Sequence, residues 1–548
     1  METGDSNKDA SKPFITSITL GGFQVFNEST TIPLGQLTFL FGPNSAGKSA
    51  VEDGLVMLCE ALSSSAEGGW NLLALTPHWR RVNGTSEGYA PVLTMGLTAT
   101  IQTNLAGALE AAFDTVRDRL TKEDQWGHDV SATFRYKLSE DYLDGWSISS
   151  ERNYVLGVDG QDILCLDEGK AMGVNFAHPL LRGFRLANDF AALADELPDC
   201  FSHDKGWIWL YSIHVCLKRL GTNRGSILVG LGIKQAESML KPSNWQERTR
   251  KVRPAVDELV DFFDNINDIA VGNTSIEPRL VAASRTTPSG RNLTHLCTPL
   301  SWGESAIAKF DLLPDSDSTY HDLAESCLHE RIGGEKPPLS VGRDLLDNVN
   351  RALSDHLFLD HGYRVAADVR LVLDIDEFSN LSRPALADAR NYPALVQLHL
   401  IDAQDRRYSF DEVGSGLGYV LPVLCSVGDS RAEICLLQQP ELHLHPALQS
   451  ALGDVFIEAA GPENQIIIET HSEHLLLRIL KRIRQTSGVN PPVPELRLKA
   501  DDVVVAYFDP KPDGTTSVKH LRISEDGEFL DRWPRGFFTE RDGELFDE

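Results

Sequence analysis

The sequence predicts an α/β fold: a mixed sheet core with an antiparallel strand layer beside it and a large, mainly helical insertion. Three observations carry this expectation. An apolar strand run, LTFLF, leads straight into a glycine-rich loop at Gly42, and helical periodicity follows from Ser49 to about Leu62. Strand, helix and strand patterns return near the other end, in AEICLL and QIIIET. Between them lies a long stretch whose pattern is mostly helical.

The first element is SITLGGFQVF, which alternates as a strand does, and APVLTMGLTATIQ reads as the antiparallel neighbour such a layer requires. Residues 14–103 thus form the first half of the core, with the glycine loop inside it. Residues 104–275 read as the mainly helical insertion. Its clearest stretch is KQAESMLKPSNWQERTRKVRPAVDELVDFFDNI, interrupted by Pro242 and Pro254. Residues 276–310 bring a return strand, IEPRLVAASR, and residues 311–365 read as a second helical insertion. Residues 366–495 hold the second half of the core. Residues 496–548 form a β-hairpin turning at Asp513-Gly514, followed by a tail.

Composition narrows the classes. The chain has 548 residues, which suggests two or three structural units, and a formal net charge of −28. That charge repels a phosphate backbone on average and disfavours broad nucleic-acid binding. No apolar run is long enough to span a bilayer, and the polar first residues lack the apolar core of a secretion signal, so a cytoplasmic setting is expected. The eight cysteines form no CxxC pair, which points away from zinc and from a disulfide framework.

The strongest motif is GPNSAGKS, made of Gly42, Pro43, Asn44, Ser45, Ala46, Gly47, Lys48 and Ser49. It fits G-x-x-x-x-G-K-[ST] between a strand and a helix. Glycines let the backbone wrap around phosphates, and amides and a helix N-terminus face the anion. Lys48 is expected on the β- and γ-phosphates and Ser49 on Mg²⁺. A second small-residue loop, Gly414, Ser415 and Gly416, precedes the apolar helix LGYVLPVLCSV. It reads either as an anion site or as an ordinary cap with Ser415 at N-cap.

The order that follows is a strand ending in QQPELHLHP and a strand ending at His471. Together with the glycine-serine loop, it resembles the second half of an ABC ATPase nucleotide domain. The resemblance makes Gly414 to Gly418 the signature loop, Gln438 and Gln439 the Walker B end, HLHP the D-loop and His471 the switch histidine. It implies ATP sandwiched between two copies, as a homodimer or higher oligomer. The wording LTFLFGPNSAGKS, VGSGLGYVLPVL, QQPELHLHP and IIIETHSEHLLLRI is similar to the branch of OLD and RecF-like ATPases, and GEFLDRWPRGFF looks like a short C-terminal domain found in a bacterial group of that branch. Relatives of this kind, such as Septu and PARIS ATPases, imply anti-phage defence with a separate effector protein, a nuclease or toxin. The alternative is a RecF-like DNA-repair ATPase, which keeps nucleic acid open as a partner.

The sequence departs from the family where Walker B normally ends in two acids. Gln438 stands at the Mg²⁺ position and Gln439 at the base position. An amide orients water but takes no proton near neutral pH, and it brings no charge to a hard cation. Glu441, two residues on, is a candidate substitute. Slow hydrolysis is therefore expected. His443 and His445 have metal-like spacing but read better as D-loop residues. Arg285 reads equally as a phosphate contact or a surface ion-pair partner. Trp207 and Trp209 read as core aromatics.

Overall fold

The structure is a computed structural model and describes residues 14–63, 92–103, 128–141, 147–158, 160–167, 171–175, 177–178, 201–204, 207–210, 278–282, 294–297, 318–332, 345–371, 394–410, 412–429, 434–461, 464–488 and 491–534. The chain divides into two compact units. One comprises Met1–Gly35, Gly42–Glu277 and Phe508–His520; the other comprises Gln36–Phe41, Pro278–Tyr507 and Leu521–Glu548.

The first unit is built on a nine-stranded antiparallel sheet. Strand β1 (Phe14–Gly21) alternates as read from the sequence and buries Ile15, Ile18 and Leu20. It pairs with β2 (Thr30–Pro33) on one side and β4 (Val92–Thr103) on the other. Helix α1 (Lys48–Ser63) packs on β1 and β4. Gly54 allows the close approach, since a Cβ there would lie 2.9 Å from Leu20 Cδ2.

Within 104–275, read from the sequence as mainly helical, the same sheet takes up the described residues, and the rest of that stretch lies outside them. Its described residues are strands, not helices: β5 (His128–Asp141), β6 (Ser147–Val158), β7 (Gln161–Asp167), β8 (Ala171–Asn175), β9 (Phe201–Asp204) and β10 (Trp207–Leu210). They extend the sheet in the order β2-β1-β4-β5-β6-β7-β8-β10-β9. The physical reason lies in period-two alternation, as with Val130, Ala132, Phe134, Tyr136 and Leu138 in β5, which suits a pleated strand. The long helical pattern of residues 234–266 lies outside the described residues, as does Arg285. Trp207 is half-buried in β10, while the Trp209 side chain lies outside the described ones.

The second unit centres on parallel strands. β3 (Leu37–Phe41), β11 (Pro278–Val281), β16 (Ile434–Gln438), β17 (Gln465–Glu469) and β18 (Val503–Pro510, as far as Tyr507 in this unit) run in the order β11-β16-β17-β3-β18. Every adjacent pair is parallel. LTFLF and QIIIE are buried along their whole length, as unbroken apolar runs are when both faces of a sheet are covered. β11 is thus the return strand expected within 276–310. Beyond it, β12 (Thr294–Cys297), β13 (Arg364–Leu371), β14 (Ala394–Ile401) and the short β15 (Arg407–Tyr408) make a separate antiparallel sheet.

Within residues 311–365 stand α2 (Ser318–Ile332) and α3 (Leu345–Arg351), the latter running on into a π-helical turn over Ala352–Leu357. The helices of the second core half are α4 (Ser415–Gly428), α5 (Pro446–Ala459) and α6 (Glu473–Ser487). In the tail, the Trp533 ring meets Phe41, Tyr507 and Phe529 edge-on, with centroids 5.6, 6.1 and 5.1 Å away. The tail therefore packs on the final residue of β3. No helix among the described residues is long and apolar enough to cross a membrane.

Helices α5 and α6 are joined by a carboxylate with two guanidinium partners. Asp454 is buried and receives Arg478 Nη1 at 2.5 Å, with Arg482 Nε and Nη2 at 2.8 and 2.7 Å. The hydrogen bond to Asp454 raises the pKa of Arg482. Removing one member strands the other charges in a poorly hydrated place. Asp454→Ala should therefore lower unfolding stability by about 3 kcal/mol in urea titration.

Candidate nucleotide site

The glycine loop begins where β3 ends, at Gly42. Its backbone visits the left-handed region at three points: Gly42 (φ 147°), Ser45 (φ 64°) and Gly47 (φ 91°). Glycine is required at the first and last by space as well as by angle. A Cβ on Gly42 would lie 2.6 Å from the Phe508 carbonyl oxygen, and one on Gly47 would lie 2.1 Å from Val25 Cγ2. Asn44, Ser45 and Ser49 are exposed, whereas Ala46 and Lys48 are buried. Helix α1 starts at Lys48, directly after the loop, and the Ala50 amide donates to the Gly47 carbonyl at 3.2 Å. Lys48 Nζ donates to the carbonyls of Gly42 and Pro43 at 3.0 and 2.9 Å, which holds the ammonium within the loop. Sequence reasoning foresaw strand, loop and helix, and the structure places all eight motif residues in that arrangement.

Within the second unit, register aligns the strand ends. Gln438 lies opposite Glu469, and Glu469 opposite Leu40. The carboxyl ends of β3, β16 and β17 thus share one edge, where open parallel sheets bind ligands. Gln438 and Gln439 are both half-buried there. Gln439 has φ 45°, a left-handed conformation that costs a non-glycine residue on the order of 1–3 kcal/mol. Its amide donates to the Glu469 carbonyl at 2.7 Å, and its carbonyl accepts from Leu442 at 3.1 Å. These bonds hold the strained turn in place.

Glu441 is buried, and its Oε1 accepts the backbone N–H of His471 at 2.9 Å. A carboxylate from the turn after β16 therefore holds the backbone of His471. After it, Ser472 caps α6 by accepting from Leu475 N at 3.1 Å. Of the two histidines in this turn, His445 is the N-cap of α5, its Nδ1 accepting from Ala447 N at 3.2 Å. His443 has φ 63°, and its ring lies 4.3 Å from that of Tyr419 on α4. Among the described residues, no group of three His, Cys, Asp or Glu could hold a metal ion.

The N-cap of α4 is Gly414, not Ser415, and Gly414 makes no side-chain cap hydrogen bond. Ser415 is the first helical residue, and both are exposed. An added Cβ on Gly414 would meet nothing within 4 Å, whereas one on Gly416 would lie 3.0 Å from the His443 carbonyl oxygen. The turn carrying His443 and the start of α4 are thus in direct contact, through His443 on both Tyr419 and Gly416.

Sequence reasoning missed four features: the contacts of Val25 and Phe508 with the glycine loop, the Glu441 bond to His471, the ring contact of His443 and the left-handed turn at Gln439. Only the hairpin carrying Phe508 left a local trace, and that trace did not say where it packs.

Residues 235–478 match a family model described as "AAA domain, putative AbiEii toxin, Type IV TA system". The matched stretch includes Gly414–Gly416, Gln438, Gln439, Glu441 and His471, but not Gly42–Ser49. It covers less than half of the chain, and that stretch carries an AAA-type ATPase domain. No curated protein matches the sequence. Among solved structures, the chain is similar to an Smc head bound to the C-winged helix domain of ScpA, at 13% identity and TM-score 0.37, over 93% of this chain and 98% of that one. It is also similar to the SMC head domain from Thermotoga maritima, at 8% identity and TM-score 0.34, over 93% and 100%. The Smc head domain with a coiled coil and joint from Pyrococcus yayanosii matches at 12% identity and TM-score 0.34, over 94% and 98%.

Gly47→Ala introduces both a clash and a strained φ. The variant should lose about 2 kcal/mol or more in unfolding measurements. Adding Val25→Ala should recover part of the loss, because it removes the clash and leaves the backbone strain.

Proposed function

We propose that the chain binds ATP with Mg²⁺ through Gly42–Ser49 and closes as a homodimer or higher oligomer around the nucleotide. The observation that carries this reading is the loop itself: three left-handed residues, a buried Lys48 ammonium within it and a helix that begins at Lys48. Amides of such a loop face an anion, and the lysine adds charge to it. The residues fit Mg²⁺ as a cation held mainly by phosphate oxygens and water. The exposed Ser49 hydroxyl supplies one protein ligand, and Gln438 supplies at most a neutral one.

Closure in this reading uses the exposed Gly414–Ser415 end of α4, presented to the nucleotide of the other copy. Hydrolysis is slow, because Gln438 and Gln439 stand where acids normally do. His471 contacts the γ-phosphate, and Glu441 holds the His471 backbone through Oε1. The wider role is a regulatory or scaffolding ATPase of bacterial anti-phage defence that holds a separate effector, a nuclease or toxin. The sequence resemblance supports it, and the toxin–antitoxin wording of the matched family agrees with such a setting.

Two variants test binding and closure. Lys48→Ala should weaken ATP binding by about 1.5–3 kcal/mol in calorimetry. Ser415→Arg should bind ATP normally yet fail to associate with a non-hydrolysable analogue in light scattering. Unchanged affinity in the first rejects the phosphate loop, and normal closure in the second rejects the signature loop.

Hydrolysis has its own test. Gln438→Asp with Gln439→Glu should raise single-turnover hydrolysis, with general-base help of ~10²–10⁴-fold as the upper range. Glu441→Gln, which keeps an oxygen acceptor for His471, should leave the slow wild-type rate nearly intact. A brisk wild-type rate abolished by Glu441→Gln would identify Glu441 as the base.

A further inference from the structure

We propose that Thr516, on the far side of the chain from the glycine motif in sequence, is a positioning residue that aims the Gly47 amide at the bound phosphate; this rests on the ATP reading above. Thr516 opens β19 (Thr516–Leu521), the second strand of the hairpin that turns at Asp513-Gly514. Its Oγ1 donates to the Ala46 carbonyl at 2.9 Å, a buried contact across 470 residues of sequence. Its backbone N–H donates to the Val25 carbonyl at 3.1 Å.

The consequence follows from the planar trans peptide. The carbonyl of Ala46 and the N–H of Gly47 belong to one peptide unit and point in opposite directions. A donor fixed on the carbonyl side therefore fixes the direction of the N–H on the other side. In a phosphate loop that N–H is one of the anion's ligands. Gly47 has φ 91° and access to a wide range of backbone angles, so its orientation needs an external hold.

Thr516 suits that task. It is buried, and β-branching leaves its χ1 stiff, so the hydroxyl has little freedom. The rest of the hairpin grips the other end of the loop. The Phe508 carbonyl lies against Gly42, and the Phe508 ring meets Phe26 edge-on at 6.3 Å between centroids. Val25, whose carbonyl holds Thr516, is also the residue whose methyl fills the space beside Gly47. Loop, turn and hairpin thus form one closed set of contacts within the first unit.

The test is calorimetry of the full chain with a non-hydrolysable ATP analogue and, separately, with tripolyphosphate. Thr516→Val keeps the shape and removes the donor; it should weaken both probes by about fivefold to tenfold, the loss of one hydrogen bond's orienting effect. Thr516→Ser keeps the donor and should bind within about twofold of wild type. If Thr516→Val does not fold, Thr516→Ala, which adds no methyl against the loop carbonyl, is read in the same way. Normal affinity in the hydroxyl-free variant, with Lys48→Ala impaired, overturns the positioning role and leaves the ATP reading standing. Normal affinity in both overturns the two together. Equal weakening in Thr516→Ser and Thr516→Val also overturns it, since the hydroxyl would then not be the cause.

Discussion

The close approach of Val25 to Gly47 is the constraint on which the first unit's chemistry depends. A backbone at φ 91° with a methyl where a side chain would begin admits only glycine. That restriction lets the chain double back tightly enough to bring Lys48 over the carbonyls of Gly42 and Pro43. It also sets where α1 begins. The antiparallel sheet serves this geometry from beneath: β1 carries the turn that contains Val25, and the same strand supports α1.

In the second unit the corresponding constraint is register. Parallel pairing puts Gln438, Glu469 and Leu40 side by side, and the chain leaves each strand at the same edge. The turn after β16 is then tied down twice. Gln439 is bonded to the neighbouring strand's carbonyl, and Glu441 reaches the amide of His471. Such bonds explain why a glutamine sits in a left-handed conformation there: its surroundings over-determine the backbone.

Much of this was legible in order along the chain. LTFLF and QIIIE read as strands because unbroken apolar runs of that length fit buried parallel strands, and GPNSAGKS fixed the loop and the helix after it. The Asp513-Gly514 turn marked its hairpin. Two kinds of feature were not legible. The strands β5 to β8 were hidden in a stretch read as helical, because polar residues such as Ser131, Thr133, Arg135 and Lys137 dilute the apolar signal while preserving its alternation. Contacts between distant segments left no local mark at all. Nothing near Thr516 announces Ala46, nothing near Glu441 announces His471, and Trp533 does not name Phe41. Periodicity reports which face is apolar, and only tertiary packing decides what covers it.

The distance in sequence between the loop and its hairpin has a consequence during synthesis. Translation runs in one direction, and segments fold as their partners emerge. The ribosome completes Gly42–Ser49 early, with α1 and β1 soon after in reach of one another. The strand bearing Thr516 emerges 470 residues later than Ala46. Over those 470 residues the nascent chain carries the loop's sequence without the hairpin that holds its outer side. The buried contact between Thr516 and Ala46 can form only once that later strand has been made.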